Sequence, residues 1–129
     1  MKKLLAVGFA AMALGFVQPA FACGDGPLTG DFSTGKVHVR VTSLGQCGSP
    51  FLYQAWNAPR KIGQGKADWL MQGEDDYRNE VYRIVFKRGN TTFRLTPDGD
   101  CDNLDCDAYL DIFINGKKKD HLFLRRIYN

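Results

Sequence analysis

The chain has 129 residues, 24% of them charged, a formal net charge of +3 and four cysteines. That length holds one domain with a modest core, too small to be indifferent to cross-links. Two of the positive charges, Lys2 and Lys3, belong to an N-terminal segment read below as removable, so the remainder is near neutral. This excludes the overall basic charge that drives non-specific binding to nucleic acid or anionic membranes.

Residues 1–22 fit a secretory signal peptide. Lys2 and Lys3 supply the positive region, Leu4 to Val17 the uncharged apolar run, and Ala20-Phe21-Ala22 the small-x-small cleavage site. The apolar run is shorter than the ~18 residues of a membrane-spanning helix, and no later segment is apolar enough to span. Cys23 follows the cleavage site, but the preceding triplet lacks a lipoprotein-type leucine. Lipidation would also leave an odd thiol among Cys23, Cys47, Cys101 and Cys106 in an oxidising compartment. The expected mature product is therefore residues 23–129, periplasmic or secreted.

Beyond an irregular, glycine-rich start, the dominant period is two. Val37, Val39 and Val41 alternate with polar residues; Phe51 to Trp56 is aromatic-rich; Ala67 to Gln72 is a weaker third strand. In the next, Tyr82, Ile84 and Phe86 should face inward, followed by Phe93 and Leu95 beyond the turn near Gly89. The last two strands flank Asn115-Gly116, a strong hairpin signal. A two-residue turn with a regular ladder would set Leu110 opposite His121 and split the apolar faces. A three-residue connection, with a bulge, sets Leu110 against Leu122 and Asp111 against His121, and burial favours it. No convincing helical period occurs. The expectation is an all-β domain, a small antiparallel barrel or sandwich stabilised by two disulfides.

Residues 96–111, TPDGDCDNLDCDAYLD, admit three readings. Asp98, Asp100 and Asp102 have the one-three-five spacing of calcium ligands, but Asn103 and Tyr109 stand where an EF-hand needs its glycine and bidentate glutamate. Redox chemistry is disfavoured by Cys-x4-Cys spacing and acidic flanks. A loop closed by Cys101–Cys106, with Cys23–Cys47 tying down the N-terminal stretch, accounts for all four sulfurs; it is one of three possible pairings, preferred for its locality, and no other cofactor is implied.

His38 and His121 could serve a secreted two-histidine ribonuclease, although both lie mid-strand, where a solvent-facing position explains them. Glu74, Asp75 and Asp76 suit a carboxylate pair for glycoside hydrolysis, or a solvated turn after Gly73. No nucleophile elbow, zinc-protease motif or phosphate loop appears. The segment Trp56 to Trp69 carries Asn57, Arg60, Lys61 and Lys66 between two tryptophans. If the tryptophans face outward, these six residues form a binding tip for a protein or glycan; if inward, they anchor a basic crossing. The layout of leader, short strands and few cysteines resembles that of small periplasmic lysozyme inhibitors. That likeness is architectural and assigns no residues. The expected function is binding rather than catalysis, as an inhibitor or immunity-type protein.

Overall fold

The computed structural model describes residues 27–45, 48–99 and 106–128. The predicted leader, Cys23, Cys47, Cys101, Asp100 and Asp102 lie outside them. Cys106 is buried and is not a free thiol; the cysteine pairing itself also lies outside the described residues.

Eight strands are described: β1 Gly30–Ser33, β2 Val37–Gly45, β3 Gly48–Asn57, β4 Trp69–Arg78, β5 Val81–Arg88, β6 Thr91–Pro97, β7 Ala108–Ile114 and β8 Lys117–Ile127. Each pairs antiparallel with its successor, and β8 returns to β1, so the sheet closes as an up-and-down barrel rather than a sandwich. An eight-stranded barrel encloses a space just wide enough for side chains to fill. Phe32, Ile84, Phe86, Leu95, Leu110 and Leu124 are fully buried there, each stabilising by about 1.5–3 kcal/mol. The Tyr53 ring meets Phe93 edge-on with centroids 5.2 Å apart, and burial pushes its hydroxyl pKa well above the usual value.

The alternation read from β2, β5 and β6 matches the core, with Val39, Val41, Ile84, Phe86, Phe93 and Leu95 buried. Two elements differ. The short strand β1 lies in the stretch read as irregular, its Gly-Asp-Phe-Ser sequence giving a single apolar inward residue, Phe32. Strand β4 runs past Gln72 to Arg78, and the chain turns at Asn79 and Glu80, both at positive φ. Glu74, Asp75 and Asp76 are thus strand residues, not a turn tip. Gly73 is there for closeness: a Cβ would sit 2.2 Å from the Val85 carbonyl oxygen.

The β7–β8 hairpin keeps the expected register by a different device. Leu110 lies opposite Leu122 and Asp111 opposite His121, but Asn115-Gly116 is a two-residue turn with both residues at positive φ. The extra residue, Lys119, enters as a bulge inside β8.

One end of the barrel is closed by Arg126, which points inward from β8 and is 8% exposed. Its Nε donates to the Cys106 carbonyl (2.9 Å), and Nη1 and Nη2 donate to the carbonyls of Thr29 and Pro27 (2.7 Å each). The guanidinium carbon stands 4.6 Å from the centre of the Phe32 ring. At the other end lie the β1–β2, β3–β4, β5–β6 and β7–β8 connections, because successive turns of an up-and-down sheet alternate ends.

Candidate functional site

The β3–β4 loop, between Asn57 and Trp69, is held by its own polar groups. The Arg60 guanidinium donates to the Lys66 carbonyl at 2.7 Å, to that of Gln64 at 3.4 Å, and to the Asp68 carboxylate. The other Asp68 oxygen accepts the Asn57 N–H at 2.7 Å. That hydrogen bond, then the one from Arg60, holds the Asp68 carboxyl below the usual carboxylate range. The Gln64 side-chain oxygen accepts from the Lys61 N–H, and the Gln64 backbone N–H donates to the Lys61 carbonyl. Gly65 has φ of 78°, and a side chain there would press on Arg60, 3.3 Å from a built Cβ.

The six expected binding residues are brought to this loop in different roles. Trp56 pairs across the ladder with His38 and so belongs to the outer face, yet it is only 3% exposed. The loop folds over it, and its indole N–H donates to the Gly65 carbonyl at 3.0 Å. Trp69 faces inward and is half-buried, stacked on Phe93 with centroids 5.8 Å apart and covered by the Arg88 guanidinium at 4.1 Å. Both tryptophans are therefore anchors. Arg60 is the internal clamp, and Asn57, Lys61 and Lys66 are exposed. Asp68, the other half of the clamp, was missed. An opposite charge eight positions from Arg60, across a glycine-rich loop, was the available signal.

The two histidines are not gathered into one site. His38 pairs with Ser33, whose other neighbour is Arg125. His121 lies four residues farther along β8, about 13 Å at the strand rise. His121 instead contacts the Asp111 carboxylate through Nδ1 and stacks on Tyr109, with centroids 5.0 Å apart. Lys118 reaches the same carboxylate at 3.1 Å and Arg94 at 3.7 Å. Burial alone would raise the Asp111 pKa, but hydrogen bonds from His121 and Lys118, with their charges, outweigh it and hold it low.

The three adjacent acids divide between two faces. Asp75 accepts from the hydroxyls of Ser49 (2.7 Å) and Tyr82 (3.1 Å), whereas Asp76 takes a bidentate hold from Arg83. Burial first, then the Asp75 charge, pushes the Tyr82 hydroxyl pKa up. Glu74 and Asp76 share the outer face of β4 and border one surface depression with Arg83 and Lys87. Asp98 is exposed, its N–H donating to the Asp107 carbonyl at 2.9 Å. Among the described residues no group of three or more His, Cys, Asp or Glu could hold a metal, and no helix is long and apolar enough to cross a membrane.

No family model, curated protein or solved structure matches the chain.

Proposed function

We propose that this protein is an exported binding module that engages a protein partner through the β3–β4 loop, as an inhibitor or immunity-type protein does. The observation that carries this reading is a loop fixed from within by Arg60, Gln64 and Asp68 while Asn57, Lys61 and Lys66 stay exposed. A loop already in one conformation loses little entropy when it binds, and loops on a rigid scaffold are where recognition residues concentrate. Trp56 and Trp69 act beneath the surface, fixing where the loop stands.

Export rests on the leader pattern ending at Ala22, and an oxidising destination suits closure of Cys23–Cys47 and Cys101–Cys106. The purified exported product is expected to begin at Cys23 and to contain no free thiol. Wild type and the double variant Lys61→Ala/Lys66→Ala should be compared in pull-downs from the exported fraction. The variant is expected to lose the captured protein; equal capture would remove the loop from the binding role.

A further inference from the structure

The β3–β4 loop does not stand alone. Its Ala58 N–H donates to the Lys36 carbonyl in the β1–β2 connection at 2.9 Å. The β5–β6 and β7–β8 turns are tied by Asn115 N–H to the Asn90 carbonyl and by the Asn90 amide to the Asn115 side chain, both 2.9 Å. Arg88, at the end of β5, covers Trp69 at the end of the loop. Four connections are thus coupled at one end of the barrel.

That end is rich in lysine. Lys36, Lys61, Lys66, Lys117, Lys118 and Lys119 are all exposed. Of the carboxylates close to it, Asp68 is engaged by Arg60 and Asp111 by Lys118 and His121, while Asp120 is exposed and accepts from the His121 N–H, leaving the lysines in excess. The opposite end carries Glu74, Asp75, Asp76, Glu80, Asp98 and Asp107 in or beside its turns. Arg78 and Arg83 offset part of that acidity, but acids still outnumber bases there, so the near-neutral net charge conceals an uneven distribution with the lysines gathered at one end.

We propose that the four coupled connections form one dock for a carboxylate-rich surface of a protein partner. This rests on the binding role given to the β3–β4 loop above and names the chemistry of what it binds. Three observations select protein carboxylates over other polyanions. The arginines at this end, Arg60 and Arg88, are occupied by loop groups and by Trp69, so the planar forks that suit phosphate are not what the surface offers. Trp56 is covered and Trp69 is capped, so neither ring is a stacking platform for bases. Point-like ammonium charges on coupled turns suit a fixed array of carboxylates, where charge complementarity sets encounter rate and register. A second copy fits less well: joining unlike ends is a head-to-tail contact, which must either close as a ring or extend into fibres, and Asp75 and Asp76 are already bonded within the barrel.

The test measures binding of labelled poly-L-glutamate, a DNA duplex and phosphatidylglycerol–phosphatidylcholine vesicles to the whole mature protein. Poly-L-glutamate should bind best. The triple variant Lys36→Glu/Lys66→Glu/Lys117→Glu, one change in or beside each of three connections, should bind it about tenfold or more weakly. Arg78→Glu, at the opposite end, should leave it unchanged, with far-UV spectra confirming that both variants fold. Tighter binding of DNA or vesicles, an equal loss in Arg78→Glu, or salt-sensitive oligomers of the protein alone would overturn the proposal. Absence of poly-L-glutamate binding would also overturn it. If capture in the pull-down still depends on Lys61 and Lys66 in that case, the binding role survives and only the carboxylate assignment falls.

Discussion

The two ends of the barrel each use an arginine as a clamp, and the comparison separates stability from recognition. Arg126 is buried and donates to three backbone carbonyls, with Phe32 against its plane. Arg60 is partly exposed and donates to two loop carbonyls and one exposed carboxylate. The same fork does different work in the two places. Carbonyls buried without a donor are costly, whereas loop carbonyls at the surface can turn to water. One arginine keeps the barrel end folded; the other keeps a surface in shape.

The largest effect should come from Arg126→Met, which keeps the apolar stem but removes the guanidinium donors to the carbonyls of Pro27, Thr29 and Cys106. A loss of about 2–4 kcal/mol in urea unfolding is expected; a loss no larger than that of Arg60→Ala would erase the distinction. Phe32→Leu should cost about 1–2 kcal/mol, from smaller packing and the lost ring face beneath the guanidinium. Arg60→Ala should cost under about 1 kcal/mol globally while amide exchange at Asn57 and Gln64 speeds up markedly. Acid should act with the same selectivity. Because Asp68 has a depressed pKa when folded, its contribution is present above the usual carboxylate range and is lost as pH falls through and below it. Exchange protection corrected for intrinsic rate should therefore drop first in the β3–β4 loop. The carbonyls held by Arg126 do not titrate, and loss of protection there at the same pH would contradict the picture. Asp111 follows the same sign on the β7–β8 wall.

Most strands were legible because an apolar residue at every second position has one physical explanation, a buried face. Closure was not legible, since barrel and sandwich share that pattern. β4 was cut short because Glu74, Asp75 and Asp76 hide an alternation whose inward member is polar and satisfied by Ser49 and Tyr82. Trp56 exposes a different limit. Its parity correctly gives the outer face, but parity cannot tell that a loop returns to cover that face. At Arg60 the internal hydrogen bonds were not legible, because two of its partners are carbonyls of its own loop, which no residue type announces. The lysine-rich end needed topology: Lys36, Lys61 and Lys117 are distant in sequence and meet only because turns alternate.

The lengths of β1 and β8 carry one more consequence. β1 has four residues and β8 eleven, and β1 pairs with β8 only from Arg125 to Ile127. From Lys117 to Leu124, β8 pairs with β7 on one side and with no strand on the other, among the described residues. A strand edge without a neighbouring strand invites a stranger's strand and, repeated, amyloid; here the His121 N–H is already held by the Asp120 carboxylate. This run opens with three consecutive lysines and a bulge, the devices that deter such templating. Replacing them with threonine and valine is expected to turn this edge into a template for aggregation.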